Sequence, residues 1–233
     1  MLKFWKRIND LPIYLALLIF AFIIFVGAWQ ALDGYYLFNH TIDNTVRQYR
    51  PDPQNEQAAE SSPITKEMRG WVIIDGTGID YPVMQATDNT HFLNTDPFGE
   101  YSFSGSIFLD CRCSSDFSDY YSLIYGHHMN YGRMFGALDE FLDRSYLNEH
   151  SSGTLYVGRD AEEVYKLKVF AAMRVSARER IVFDLSQDEI ESYILSRAGA
   201  SSNDPGGRLL ALSTCVDAGS YDRIIVFCRI LDN

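Results

Sequence analysis

The stretch Leu209-Leu210-Ala211-Leu212-Ser213-Thr214-Cys215 joins an apolar run to a thiol, and a second run, Arg223-Ile224-Ile225-Val226-Phe227, follows after a loop of seven residues. Apolar runs of this length, separated by a loop, predict the two β-strands of a hairpin. If Cys215 pairs with Arg223 in an antiparallel register, their side chains share a face and lie roughly 4.5–5.5 Å apart. A thiol next to a positive charge has a lowered pKa and becomes a usable nucleophile. The pattern therefore predicts an active site, with a buried core cysteine as the alternative.

Further short apolar runs, separated by turn residues, extend this strand pattern along the chain. We predict about eight strands, at residues 70–75, 79–84, 106–109, 122–125, 153–157, 164–175, 208–214 and 223–231. Apolar residues at helical spacing predict one helix over 134–142, and a capping box formed by Ser186 and Glu189 predicts another over 186–199. Many short strands with few helices indicate a mainly β fold, either a closed barrel or a sandwich that carries added helices.

The N-terminal segment has the composition of a membrane-spanning helix. Residues 11–32 contain no charged side chain, and about 20 apolar residues suffice to cross the hydrocarbon core. Three basic residues precede the segment and keep that end inside the cell, so the longer C-terminal part is predicted to be extracellular. A cleaved signal peptide is the alternative, but it would have a shorter apolar region and a small-x-small cleavage site, which this sequence matches poorly. We predict a cytoplasmic tail at 1–10, a transmembrane anchor at 11–32, a juxtamembrane helix and linker at 33–65, and a catalytic domain at 66–233.

Charge and cysteine content exclude several classes of partner and fold. Residues 33–233 carry 17 basic and 30 acidic side chains, a net charge of −13 that repels nucleic acid and anionic lipid headgroups. The four cysteines are too few for a disulfide-dense scaffold, and the one-residue gap between Cys111 and Cys113 would strain a bridge. We therefore expect mostly free thiols and no nucleic-acid partner.

A cysteine nucleophile needs a proton carrier, usually a histidine that is distant in sequence. Of the five histidines, His127 and His128 follow the apolar strand 123–126, at a strand-to-loop end where catalytic residues of β scaffolds tend to lie. Adjacent residues of a continuing strand face opposite ways, so one of the pair at most can reach Cys215; a polar pair that caps the strand is the alternative. The usual zinc spacings of cysteine and histidine do not occur, so no metal site is predicted. No cofactor is expected.

Several motifs occur together in one order and cover residues 70–231. They are Tyr81-Pro82-Val83-Met84-Gln85, Asp88-Asn89, Ser104-Gly105-Ser106-Ile107-Phe108-Leu109-Asp110, Tyr125-Gly126-His127-His128-Met129, Met134-Phe135, and Leu212-Ser213-Thr214-Cys215 with Arg223. In these motifs the chain resembles the class B sortases, which are membrane-anchored cysteine transpeptidases of Gram-positive cell surfaces. Cys111 and Cys113 depart from the family pattern, and their role and that of Cys228 stay open.

The resemblance implies a fold and a set of site residues. The fold is an eight-stranded sortase-type β-barrel with N-terminal helices and a helix between strands 6 and 7, where the helix predicted at 186–199 belongs. The family's catalytic residues correspond to His127, Cys215 and Arg223. Its substrate contacts correspond to Asn89, Leu93, Tyr125 and Ser213, for which the alternatives are a loop-bonding Asn, a core Leu, a core Tyr and a strand-end Ser.

The resemblance also implies an activity and a location. A sortase cleaves a sorting signal, here expected to be of the Asn-Pro-x-Thr type, after the threonine through a thioester acyl-enzyme. It then joins the peptide to an amine, so the expected partners are surface proteins or pilins with a C-terminal sorting signal and a cell-wall precursor or pilin lysine. The expected location is the cell membrane, with one spanning helix, a cytoplasmic N-terminus and an extracellular catalytic domain. A surface cysteine peptidase that uses water and a catalytically silent sortase-like binding domain are the alternatives.

Overall fold

The computed structural model describes residues 2–40, 46–53, 61–185, 188–198, 200–201, 204–215 and 222–231. The chain forms two compact units, Met1–Thr41 and Ile42–Asn233. The first unit contains the helix α1, Leu2–His40, in which Pro12–Leu32 has a mean hydropathy of 2.4 and is long and apolar enough to cross a membrane. Large apolar side chains such as Phe22 and Ile23 are exposed along this segment, as they are on the surface of a membrane-spanning helix.

The second unit is built mainly from strands. These are β1 (Met68–Ile74), β2 (Asp80–Met84), β3 (Ile107–Leu109), β4 (Tyr121–Gly126), β5 (Ser152–Val157), β6 (Glu163–Ser176), β7 (Ala200–Ser201), β8 (Arg208–Cys215) and β9 (Asp222–Leu231). The α-helices that lie wholly within the described part of this unit are α2 (Arg144–Glu149), α3 (Arg180–Phe183) and α4 (Ile190–Arg197). Short 3₁₀ helices span His91–Leu93, Asn130–Gly132 and Gly136–Leu142.

Eight of the strands form a closed barrel. Their order is β5-β1-β2-β3-β4-β8-β9-β6, and the pairing of β5 with β6 closes the sheet. The pairs β2–β3 and β4–β8 are parallel, and the other barrel pairs are antiparallel. The two-residue β7 is not part of the barrel and pairs antiparallel with Ala171 and Ala172 of β6. The predicted eight-stranded barrel is therefore confirmed, and each predicted strand is observed with ends that differ by at most two residues.

Both predicted helical segments are observed with later starts, and one of them is a 3₁₀ helix. The helix expected between the sixth and seventh barrel strands is α4, between β6 and β8; it begins at Ile190 after Glu189, whose side chain makes no capping hydrogen bond. The predicted capping residue Ser186 lies outside the described residues. The helix predicted over 134–142 is instead a 3₁₀ helix that begins at Gly136. Met134 has a φ of 50°, a left-handed conformation that a right-handed helix does not contain, so the predicted start was wrong.

Alternate residues of β8 pack in two different cores. Leu210 and Leu212 belong to the cluster inside the barrel, whereas Leu209 and Ala211 pack in a second cluster together with Ile190 of α4. Successive side chains of a strand point to opposite faces, so the unbroken apolar run of β8 follows from burial on both faces. β8 is therefore a central strand, held between β4 and β9.

The chain before β1 is also attached to the barrel. Val46 is fully buried, and the guanidinium groups of Arg47 and Arg50 both pair with Asp80 at the start of β2. The same carboxylate accepts a hydrogen bond of 2.7 Å from Trp71 Nε1. Residues 46–50, which belong to the segment predicted as a juxtamembrane helix and linker, therefore pack on the barrel.

Candidate active site

A cleft of about 350 Å³ opens at the barrel edge where β4 and β8 end and β9 begins. Its lining residues are Asn89, Leu93, Phe108, Tyr125, Gly126, His127, Ala177, Phe183, Ser213, Thr214 and Arg223. All the predicted site residues except Cys215 are among them. The backbone of Cys215 belongs to β8, but its side chain lies outside the described part of the structure.

The strand pairing explains why residues from distant parts of the sequence meet in this cleft. β4 and β8 are parallel, with Tyr125 opposite Ser213, so the carboxyl ends of both strands lie at one edge of the barrel. β9 begins at that same edge because it is antiparallel to β8, and Cys215 is opposite Arg223. The hairpin register predicted from the sequence is therefore confirmed.

The two adjacent histidines have different partners. His127 lines the cleft, and its Nε2 lies 2.9 Å from the carbonyl oxygen of Leu93. A carbonyl oxygen can act as an acceptor and never as a donor, so Nε2 carries the proton and Nδ1 is the ring nitrogen that can take one up. His128 Nε2 instead lies 2.9 Å from Asp139 Oδ2. The geometry thus answers which histidine reaches the cleft, a question that the residue pattern left open.

Gly126 allows His127 to take this position. A Cβ at residue 126 would lie 2.3 Å from Ile107 Cδ1 and 2.8 Å from Phe135 Cδ2, well inside van der Waals contact. Phe135 is itself fully buried, and its backbone nitrogen donates to the carbonyl oxygen of His127 at 3.1 Å. The glycine of the Tyr-Gly-His motif therefore has a packing reason, because any side chain would displace these two neighbours.

A fully buried carboxylate, Asp110, orients two of the lining residues. It accepts hydrogen bonds of 2.9 Å from Asn89 Nδ2 and from Tyr125 Oη, and bonds of 2.8 and 2.7 Å from Nε and Nη2 of Arg112. Burial acts to raise the pKa of Asp110, but the hydrogen bonds from Arg112 and Tyr125 outweigh it and hold that pKa below its usual value. Burial and the adjacent carboxylate raise the pKa of Tyr125, so its hydroxyl stays protonated and donates.

The sequence motifs assign no role to four residues of this site. Asp110 is the last residue of a matched motif, and Arg112 follows two residues later. An acidic and a basic side chain so close together after a strand are the local signal that indicates an ion pair. Ala177 and Phe183, from the connection between β6 and α4, also line the cleft. Nothing in their local sequence marks them, because they reach the cleft through the path of that connection.

Ser213 and Asn89 differ in the hydrogen bonds that their side chains make within the protein. Ser213 is 1% exposed, and its Oγ has no hydrogen-bond partner among the described residues, which is unusual for a buried hydroxyl. The Asn89 amide is bonded at both ends, since its Oδ1 accepts from the backbone nitrogen of Cys111 at 2.8 Å. The loop-bonding role that was the alternative for Asn89 is thus observed together with its place in the cleft lining.

The other cysteines are free thiols, as expected: Cys111, Cys113 and Cys228. Burial raises the pKa of Cys113 to about 12 and also raises that of Cys228, so both thiols stay protonated at neutral pH. Within the described ranges, no group of three or more His, Cys, Asp or Glu side chains could hold a metal ion.

Comparison with known proteins assigns the family. The family profile of the sortase domain matches residues 72–231. Sortase B of Staphylococcus aureus is 30% identical over 181 residues, which cover 72% of each chain, and sortase B of Listeria monocytogenes is 31% identical over 171 residues, which cover 69% of this chain and 67% of the relative. The crystal structure of a Streptococcus pyogenes class B sortase involved in pilus biogenesis is 33% identical, with a TM-score of 0.67 over 75% of this chain and 97% of that one. The chain belongs to the sortase family: it is a class B sortase and, as such, a cysteine transpeptidase.

Proposed function

We propose that His127, Cys215 and Arg223 catalyse transpeptidation in the cleft, on a sorting signal of the Asn-Pro-x-Thr type. The observation that supports this most directly is the meeting of three chain segments at one barrel edge. His127 and Arg223 line the same cleft, and the strand register sets Cys215 opposite Arg223.

The reaction has two halves, and it starts and ends with a thiolate and an imidazolium. In the first half, the sulfur of Cys215 attacks the threonine carbonyl carbon, the peptide bond after the threonine breaks, and His127 gives a proton to the departing amine. In the second half, an incoming amine attacks the thioester, His127 takes up the amine's proton, and the thiolate leaves as the new amide forms. The carbonyl of Leu93 supports this role of His127, because it orients the imidazole through Nε2 and leaves Nδ1 for the proton transfers.

Arg223 supplies a positive charge where negative charge develops. Arg223 is a half-buried residue at the start of β9 and lines the cleft, so its guanidinium is suited to stabilise the oxyanion of the threonine carbonyl or to orient the peptide. The planar fork of arginine matches two acceptor atoms at once, which a lysine ammonium does not. We therefore expect even the Lys variant to be slow.

The proposed substrate contacts are Asn89, Leu93, Tyr125 and Ser213. Tyr125 gives its hydroxyl hydrogen to Asp110, so its oxygen offers an acceptor to the peptide. Asn89 uses one N–H for the same carboxylate and keeps the second as a donor. The buried Ser213 Oγ would gain a partner from a bound peptide, and the Leu93 side chain would add apolar contact.

The cellular setting is part of the same proposal. Helix α1 would anchor the enzyme in the membrane with a cytoplasmic N-terminus, because basic residues precede its apolar segment, and the catalytic domain would lie outside. The substrates would be surface proteins or pilins with a C-terminal sorting signal, and the amine would come from a cell-wall precursor or a pilin lysine. The S. pyogenes relative is involved in pilus biogenesis, which makes a pilin lysine one of the amines to test.

The test is acyl transfer by the full chain in detergent micelles, with an Asn-Pro-x-Thr peptide and with either a lysine peptide or a cell-wall peptide as the amine. Mass spectrometry should detect an acyl-enzyme on Cys215 and a ligated product when the amine is added. Cys215→Ala should form neither species, whereas the control Cys111→Ala, which removes a half-buried thiol, should form both. Arg223→Lys should slow acylation by about a hundredfold, as expected when a donor to an oxyanion is lost.

Ligated product in Cys215→Ala would refute the assignment of the nucleophile. Hydrolysed peptide without ligation, for both amines, would instead identify a peptidase that uses water. Wild-type rates in Arg223→Lys would remove the proposed role of the guanidinium. A library of peptides varied at each motif position then defines the sorting signal.

A further inference from the structure

Arg112 connects three chain segments that line the cleft. Its Nε and Nη2 bind the two carboxylate oxygens of Asp110 at 2.8 and 2.7 Å, and Nη2 also donates to the carbonyl oxygen of Phe183 at 2.6 Å. Through Asp110 the same guanidinium is joined to Asn89 and Tyr125, each by a hydrogen bond of 2.9 Å. Asn89, Tyr125 and Phe183 line the cleft, whereas Asp110, which is fully buried, and Arg112, whose side chain is 47% exposed, are not part of its lining.

The segment that ends at Phe183 depends on contacts with the barrel. Phe183 is the last residue of α3, a helix of four residues, which is too short to be stable without tertiary contacts. Val182 is fully buried, and its carbonyl accepts a hydrogen bond of 3.2 Å from Tyr121 Oη. The bond from Arg112 to the next carbonyl adds a charged donor and ties α3 to the Asp110 network.

We propose that Arg112 is a positioning residue for the sorting signal: it holds α3 in the place relative to β4 that the bound peptide requires, without touching the peptide. The inference rests on the proposed function, since the peptide is the ligand proposed for that cleft. Arg112 already holds these segments together in the free enzyme. The free energy of peptide binding is therefore not reduced by the entropic cost of ordering them. His127 is oriented separately by Leu93, so a change at Arg112 should affect KM more than kcat.

The planar fork of arginine suits this role. Two of its N–H groups match the two oxygens of Asp110, and the second hydrogen of Nη2 reaches the carbonyl of Phe183. A lysine at this position would keep a positive charge beside the buried carboxylate but could not reproduce all three bonds. Arg112→Lys therefore separates the positional effect from the loss of charge, whereas Arg112→Gln would leave Asp110 without its ion pair and endanger folding.

The experiment compares Arg112→Lys with Arg180→Lys in the full chain in detergent, with acyl transfer from an Asn-Pro-x-Thr peptide to an amine as the readout. Arg180 is a matched control because it is an exposed arginine of α3 itself, and its Nε pairs with Asp184 at 2.9 Å. Arg112→Lys should raise KM for the peptide about tenfold and change kcat less than about threefold, whereas Arg180→Lys should change neither. Alkylation of Cys215 by iodoacetamide, a small reagent, should proceed at the same rate in all three proteins.

An unchanged KM in Arg112→Lys would overturn the proposal. Parallel losses of kcat, thermal stability and alkylation rate would also overturn it, because they indicate a purely structural role. If the wild-type chain forms no acyl-enzyme, the proposed function fails, and amide hydrogen exchange then tests the positioning by itself. Exchange over residues 177–185 should be faster in Arg112→Lys than in Arg180→Lys, with α4 unchanged, and equal exchange in the two variants would overturn the inference.

Discussion

Replacement of Gly126 by alanine tests how packing places His127. The new methyl carbon would lie 2.3 Å from Ile107 Cδ1 and 2.8 Å from Phe135 Cδ2, and both side chains are buried. Overpacking of this kind costs about 1–3 kcal/mol, and the smaller freedom of alanine in the unfolded chain offsets about 0.4–1 kcal/mol. We expect the free energy of unfolding to fall by about 1–2 kcal/mol, which corresponds to a Tm lowered by about 2–8 °C.

The same substitution should reduce activity in protein that remains folded. Phe135 and His127 are joined by a backbone hydrogen bond of 3.1 Å, so a shift of Phe135 away from the new methyl group also moves the backbone of His127. Acyl-enzyme formation should slow by about 10- to 100-fold, since a misplacement of about 1 Å at a reacting group has effects of this size.

A double-mutant cycle with Ile107→Val isolates the cause. That substitution removes Cδ1, the atom nearest to the new methyl carbon, and by itself costs about 0.5–1.5 kcal/mol. Denaturant unfolding should show that Gly126→Ala/Ile107→Val is less destabilised than the sum of its single variants, by about 0.5 kcal/mol or more. The reasoning is refuted if Gly126→Ala is as stable as the wild type, or if the two effects simply add.

Two further predictions concern buried thiols and acid stability. Because burial raises the pKa of both thiols, Cys113 and Cys228 should resist N-ethylmaleimide at pH 8 until guanidinium unfolds the barrel; peptide mapping that finds either modified in native protein would contradict this. Arg229, which is 2% exposed, pairs with Asp204 at 2.7 Å and Glu191 at 2.8 Å, and its hydrogen bond lowers the pKa of Asp204 below the unfolded value. That stabilisation is present above about pH 4 and is lost as the pH falls further, so Arg229→Gln should lower the free energy of unfolding by about 2 kcal/mol at pH 7 and by less at pH 3. Denaturant titrations at both pH values check this, and an equal effect at each would count against it.

Strands are the part of this fold that local patterns predict most directly. β8 and β9 contain the unbroken apolar runs 209–212 and 224–228 because both faces of these central strands are covered, and such runs can be recognised without knowledge of the fold. Closure of the barrel cannot be recognised in that way. It depends on the pairing of β5 with β6, and the local alternation of side chains is the same in a barrel and in a sandwich.

The segment after β4 shows a tertiary contact that overrides a local pattern. Its apolar spacing predicts an α-helix from Met134, but the backbone nitrogen of Met134 donates to Tyr81 Oη at 2.9 Å. Met134 takes a left-handed conformation there, and the chain becomes helical from Gly136 onward as a 3₁₀ helix. The partner is 53 residues away in sequence, so no local rule could include it.

The amino-acid sequence alone specifies the chemistry that this protein can use. It supplies a thiol and a guanidinium at facing strand ends, two histidines at another strand end, and an apolar segment long enough to cross a membrane. Residue type and strand propensity are local properties, and so these features can be recognised one segment at a time.

The tertiary structure determines which of these groups meet. Parallel pairing of β4 with β8 brings His127 into the cleft, while His128 pairs elsewhere. The link from Asn89 through Asp110 and Arg112 to Phe183 joins positions far apart in the chain. Such hydrogen bonds depend on long-range strand pairing, which places the segments side by side, and for this reason no pattern within a single segment contains them.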